Sequence, residues 1–184
     1  MPVVICTLRG VNVTGHNMIK MEALRALCER LQLRQPQTYI QSGNVIFRTG
    51  KADLVQLAKK IEDAIETQFG FRPAVILRTT EELRGVIARN PFQKRSGIDP
   101  SKLLVVFLSG DPGDEAREKL RTVECQPDEL CWNGRELYIY FPDGQGRMTL
   151  KWAHVDKALR LPYTGRNLNT VTKLLEMAEN HGRG

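Results

Sequence analysis

Seven residues in the first quarter of the chain, Arg9, Gly10, Asn12, Gln41, Ser42, Gly43 and Asn44, bring together a guanidinium, three amides, a hydroxyl and two glycines. No carboxylate precedes Glu22. Amide and guanidinium donors complement the oxygens of a phosphate, a carboxylate or a nucleotide edge, whereas a metal asks for carboxylates, imidazoles or thiolates. A second set consists of Gly146-Arg147 with Lys151, and of Gly165-Arg166-Asn167-Leu168-Asn169-Thr170. There an arginine stands directly before a helical pattern, and helix N-termini attract anions. If both sets faced one cleft, Arg9, Arg147 and Arg166 would concentrate positive charge in it. Asparagine and glycine are also the ordinary chemistry of turns and caps, so Gly10, Gly43, Asn44 and Asn169 have a purely structural alternative.

Several familiar chemistries are excluded. Gly10-x4-Gly15 is followed by His16-Asn17, where a phosphate loop requires Lys and then Ser or Thr, so nucleoside-triphosphate hydrolysis is unsupported. Ser42 lacks the Gly-x-Ser-x-Gly elbow of hydrolases and has no histidine placed to serve it. Asp143 and Asp156 read as a turn residue and a solvated helix residue before they read as general bases, and no catalytic residue is assigned. Cys125 and Cys131 are separated by five residues, which matches no zinc spacing, and His16, His154 and His181 are scattered, so no metal site and no cofactor are expected. Tyr138 and Tyr140 share one strand face and read first as covering a sheet face or contacting the neighbouring half, with a small stacking platform as the lesser alternative, and the first and third strands lack the aromatics of an RNA-recognition sheet.

The elements that must position these groups follow from periodicity. Residues 3–9 form a strand, 19–32 a helix with the apolar stripe Met21, Leu24, Leu27, Cys28 and Leu31, and 38–41 and 45–48 a hairpin turning at Ser42-Gly43-Asn44. Asp53 caps a helix carrying Leu57, Ile61, Ile65 and Phe69, and a strand follows at 73–78. The order βαββαβ is ferredoxin-like, and its strand directions bring Arg9-Gly10, the loop 12–17 and the hairpin tip to one rim of the sheet. Thr79 and Glu82 read as a capping box for a linking helix that ends at Asn90-Pro91. The pattern then starts again: a strand at 102–109, a helix opened by Asp111-Pro112, a hairpin across Asn133-Gly134, a weak helix at 150–160 and a last helix capped by Asn169. This second half reads βαββα, an imperfect duplication of the first. The glycine-rich segment 142–151 reads as a loop and candidate flap.

Composition agrees. The 184 residues are 41% hydrophobic and 26% charged, enough for a core without disulfide or metal staples. Lys+Arg 27 against Asp+Glu 21 gives +6, which favours acidic or phosphorylated partners without any long block of like charge. No apolar run spans a bilayer, no leader precedes the first strand, and the cysteines read as buried reduced thiols, so a cytoplasmic protein without a membrane partner is expected.

Leu8-Arg9-Gly10-Val11-Asn12-Val13, Tyr39-Ile40-Gln41-Ser42-Gly43-Asn44-Val45, Asn90-Pro91-Phe92 and Arg166-Asn167-Leu168-Asn169-Thr170-Val171 together resemble the bacterial domain of unknown function 1697 family. The resemblance covers nearly the whole chain. It implies a cytoplasmic bacterial protein of two ferredoxin-like halves, and it implies no activity. Two departures stand out: Thr14 occupies a position where the family usually has glycine, and Leu168 one where it usually has tryptophan. The expectation is an α+β chain with halves at 1–79 and 102–184 joined by 80–101. Its first functional reading is a small phosphorylated, nucleotide-like or otherwise anionic ligand held by Arg9, Gly10, Asn12, Gln41, Ser42, Gly43 and Asn44, with Arg147, Arg166, Asn167 and Asn169. A nucleic-acid-associated role and a protein-interaction module are the alternatives, and oligomeric state and enzymatic activity stay open.

Overall fold

The computed structural model describes residues 1–181 and 183. The chain divides into two compact units, Met1–Arg84 with Lys173–Gly184, and Gly85–Thr172. The first unit begins β1 (Val3–Leu8), α1 (Met21–Arg30), β2 (Arg34–Tyr39), β3 (Asn44–Arg48), α2 (Leu54–Phe69) and β4 (Val75–Thr79). Its sheet has the order β2-β3-β1-β4 with every neighbour antiparallel. Alternate residues of the strands, Val4, Cys6, Leu8, Val45, Phe47, Val75 and Leu77, face one side. There they meet Leu24, Leu27 and Cys28 of α1 and Leu57, Ile61 and Ile65 of α2, so the period of two on the sheet and of 3.6 on the helices build one core. Each such aliphatic side chain contributes about 1.5–3 kcal/mol on burial.

Local signals hold the ends. Asp53 Oδ1 accepts the Gln56 N–H at 3.0 Å, and Gly70 closes α2 in the left-handed conformation at φ 81°. Between β4 and α3 (Thr80–Ala88) the capping box is reciprocal: the Glu82 N–H donates to Thr79 Oγ1 at 3.1 Å and the Thr79 N–H to Glu82 Oε2 at 2.8 Å.

The second unit contains β5 (Leu103–Leu108), α4 (Asp114–Arg121), β6 (Glu129–Asn133), β7 (Glu136–Tyr140), α5 (Trp152–Leu159) and β8 (Tyr163–Asn167), followed by α6 (Leu168–His181), which ends in the first unit. Its order, β6-β7-β5-β8, repeats that of the first sheet. The two ferredoxin-like halves expected from the sequence are present, and β8 completes the second one as βαββαβ. Tyr-Thr-Gly-Arg-Asn carries no strand signature. Its pairing with Leu104 to Leu108 makes it a strand, and Gly165 permits the approach, since a Cβ there would lie 3.1 Å from Leu104 Cδ2.

Four further expectations are corrected. Asp111-Pro112 does not open α4; the helix begins at Asp114 with Gly113 as its N-cap, and Asp111 Oδ1 instead accepts the Gly113 N–H at 2.8 Å. Asn169 does not cap α6; Asn167 does, its Oδ1 accepting the Thr170 N–H at 2.9 Å. The segment 142–151 is not a free flap, because the buried Asp128 accepts the N–H groups of Thr149 at 2.6 Å and Leu150 at 2.8 Å. Tyr138 and Tyr140 cover a sheet face, in keeping with their first reading, and offer no stacking platform: both are buried, the Tyr138 hydroxyl donates to the Val86 carbonyl at 2.6 Å, and the Tyr140 ring tilts against Phe92. Cys6, Cys28 and Cys125 are buried free thiols, whereas Cys131 is half-buried. His181, unassigned from sequence, anchors the end of α6: its Nδ1 accepts from Arg48 Nε at 3.3 Å and its Nε2 donates to the Gln35 carbonyl at 2.7 Å.

Candidate functional site

β1 runs toward the rim that the sequence points to, with Thr7 opposite Asn44 at the start of β3 and Leu8 opposite Val75 at the start of β4. Arg9 follows at the surface, its N–H donating to the Ala74 carbonyl at 3.0 Å, which fixes where its side chain leaves the sheet. The chain then folds back sharply. Gly10, Asn12, Thr14, Gly15 and Asn17 all have positive φ, at 70°, 56°, 46°, 78° and 53°. Thr14 and Gly15 are the central pair of a type I′ turn, closed by the His16 N–H donating to the Val13 carbonyl at 2.9 Å. A β-branched residue in the left-handed region is strained, and glycine is the residue this position favours.

Asn12 ties three segments together. Its Oδ1 accepts the Ile19 N–H at 2.7 Å, and its Nδ2 donates to the carbonyls of Ile19 at 2.9 Å and Gln41 at 2.7 Å. Asn17 Nδ2 closes the loop on the Gly10 carbonyl at 3.1 Å. At the hairpin tip the buried Asn44 donates to the Tyr39 carbonyl at 3.0 Å and to Ser42 Oγ at 3.1 Å, while the Gly43 carbonyl accepts the Leu8 N–H at 2.9 Å. Gly43 is obligatory: φ is 85°, and a Cβ would stand 2.9 Å from that of Leu8. All seven residues of the first set therefore gather at one rim. Asn12, Gly43 and Asn44 hold its shape, and Arg9, Gly10 and Gln41 lie exposed on it with Ser42 half-exposed.

The rim is electrostatically one-sided. α1 starts after Lys20 with no side chain capping its first N–H groups, so the positive end of the helix dipole faces outward. The segments that form the rim, residues 8–21 and 39–44, contain Arg9 and Lys20 and no Asp or Glu, whereas Arg34 and Arg48 pair at the other end of the sheet, beside Val3. On the β4 side, Glu62 accepts the Val75 N–H at 3.0 Å and an Arg72 Nη2 hydrogen at 3.1 Å, which answers its charge locally. The Thr14-Gly15 turn and the uncapped start of α1 are the parts of the rim that residue types alone do not reveal. A Thr-Gly pair between Val13 and His16 was their single sequence signal.

The second set lies in the other unit and is differently disposed. Arg147 is exposed in a single 3₁₀ turn, Gln145–Arg147. Arg166 is buried on β8, where Nη1 donates to Thr164 Oγ1 at 2.9 Å and to the Gly165 carbonyl at 2.8 Å. Asn167 is the cap of α6 and Asn169 is exposed in its first turn. Asp156, set aside as a base, accepts a short hydrogen bond from the Tyr163 hydroxyl, whose ring stacks on Trp152 with centroids 6.1 Å apart. Among the described residues, no three His, Cys, Asp or Glu side chains gather to hold a metal, and no helix is long and apolar enough to cross a membrane.

A family model described as a protein of unknown function, DUF1697, matches residues 1–138, which include the whole rim. The chain is similar in structure to the conserved bacterial protein SP0830 from Streptococcus pneumoniae, with a TM-score of 0.74 and 22% identity over 96% of this chain and 98% of that one. At that identity the likeness shows the fold. No curated protein matches the sequence.

Proposed function

The chain belongs to the DUF1697 family, and we propose that it binds a small anionic ligand, a phosphate ester or a carboxylate, on the rim of its first unit. One observation carries the proposal: the Asn12 clamp gathers Arg9, the Thr14-Gly15 turn and the uncapped N-terminus of α1 on a rim whose own segments contain no carboxylate before Glu22. Left-handed residues recur through this loop, at Gly10, Asn12, Thr14, Gly15 and Asn17, and such conformations are the ones from which anion-binding nests are built. Arg9 supplies the full charge, while Gln41 and Ser42 supply neutral donors from the facing hairpin tip. Asn12, Gly43 and Asn44 act as the frame, and Asn167 belongs to the cap of α6. The four free thiols suit a reducing, cytoplasmic setting, in which phosphorylated small molecules are abundant.

The experiment is a thermal melt of the native chain with inorganic pyrophosphate. Wild type melts at a higher temperature as pyrophosphate is added, and Arg9→Ala, an exposed position, folds normally and shows no rise. An unchanged melting temperature for wild type at millimolar pyrophosphate contradicts the proposal.

A further inference from the structure

Among the described residues, five large hydrophobic side chains are exposed: Met1, Val13, Met18, Ile40 and Val55. Met1 precedes β1 and Val55 opens α2, at the end of the first sheet from which β1 departs. The other three lie at the opposite end. Each is the chain neighbour of a residue in the Asn12 clamp, Val13 following Asn12, Met18 preceding Ile19, and Ile40 preceding Gln41. The clamp therefore brings the chain positions of three exposed apolar residues to one place on the rim. Ile40 is held outward in the left-handed region at φ 51°, a conformation that a β-branched residue adopts only under constraint. Beside it, Gln41 is exposed, and among the described residues its side-chain amide donates to and accepts from no protein group.

Building on the anion-binding reading, we infer that the ligand is a free purine mononucleotide. Its phosphate lies at Arg9 and the Thr14-Gly15 turn, its base lies against Val13, Met18 and Ile40, and the Gln41 amide reads the base edge. A phosphate ester with only a sugar or a short chain leaves the three apolar groups in water, whereas a planar base removes them from it. A glutamine amide offers one donor and one acceptor side by side, the complement of the adenine N6 and N7 edge. The single basic, carboxylate-free rim is complementary to the phosphate. Three exposed apolar residues, with no aromatic among them, suffice for one base, whereas a nucleic-acid strand needs a row of stacking surfaces.

The test is titration calorimetry of the full chain with adenosine 5′-monophosphate, ribose 5-phosphate and a short oligoadenylate. The inference requires the mononucleotide to bind wild type about tenfold more tightly than ribose 5-phosphate, a preference equal to about 1.4 kcal/mol. In Ile40→Asn that preference collapses while affinity for ribose 5-phosphate is retained. Asparagine tolerates positive φ, so this variant folds, and an unchanged or raised melting temperature verifies it. Gln41→Ala narrows the difference between adenosine and uridine monophosphates. Equal binding of the nucleotide and ribose 5-phosphate to wild type overturns the base contact and leaves the anion reading standing. Absence of binding by both overturns the anion reading and the inference with it. Tighter binding of oligoadenylate than of the mononucleotide, with steep salt dependence, overturns the free-nucleotide assignment in favour of a nucleic-acid surface.

Discussion

In the first unit β1 passes to α1 through twelve residues, 9–20, five of them at positive φ, and the β2-β3 hairpin turns over four, 40–43. In the second unit the matching connection from β5 to α4 takes five residues, 109–113, and the β6-β7 hairpin turns over two, Gly134 and Arg135. The helix ends differ in the same sense. Neither helix has a side-chain cap, but α4 has Asp114 and Glu115 in its first turn and Asp111 just ahead of it, so carboxylates answer its positive end, whereas α1 has Glu22 alone and Lys20 just ahead of it. An identical strand order therefore produces one short rim neutralised by its own chain and one long, basic and conformationally strained rim. Topology decides where loops meet; loop length and charge decide whether that place is closed. Strain without local compensation is characteristic of places that meet a ligand.

The sharpest way to break this comparison is to place a Cβ in each hairpin. Gly43→Ala forces contact with Leu8 at φ 85°, and a loss of about 3 kcal/mol is expected in chemical denaturation. Gly134→Ala, at φ 60° with its nearest contact at 3.7 Å, is expected to lose about 1 kcal/mol. Equal losses would remove the distinction between a tip packed against the sheet and a free one. Next in size is Asn12→Ala, which leaves the Ile19 N–H and the Ile19 and Gln41 carbonyls without their side-chain partner; about 2 kcal/mol of stability should go with it.

How far these features were legible in the sequence depends on whether neighbours along the chain carry them. The Asp53 cap, the Thr79 and Glu82 box and the apolar faces of α1 and α2 are encoded within a few residues, and they were readable. So was the convergence of Arg9, Asn12 and Gln41, because strand direction alone dictates it. β8 was not readable, since only its pairing with β5 makes a strand of Tyr163 to Asn167. The choice between Asn167 and Asn169 as cap fails for the same reason, because the end of β8 selects the residue with extended backbone. Left-handed Thr14 and Ile40 run against their own preferences, and no propensity argument finds them. His181 stands near the chain end without a motif, and its partners are far away in sequence.

Smaller effects sharpen the same contrast. Asn167→Ala should cost about 1 kcal/mol through the lost cap, while Asn169→Ala stays within about 0.5 kcal/mol of wild type. Thr14→Gly should raise stability by up to about 1 kcal/mol by relieving the strained turn, a gain with no counterpart in the second unit's shorter loop. The smallest effect is at Asp111, where the Gly113 N–H and then Arg117 hold the carboxyl below its ordinary value of 3.8. A lowered folded-state value means that its contribution is present above 3.8 and fades as the pH falls through that lowered value. Acid titration of stability should therefore be slightly shallower in Asp111→Asn than in wild type.

The claim that the first rim, and not its counterpart, receives an anion is tested most directly by amide chemical shifts of the ¹⁵N-labelled chain during a titration with pyrophosphate. The account predicts saturable shifts at Gly10, Thr14, Gly15 and the first turn of α1, with residues 109–115 unmoved. Shifts confined to the start of α4, or spread evenly over the basic surface without saturation, would contradict it.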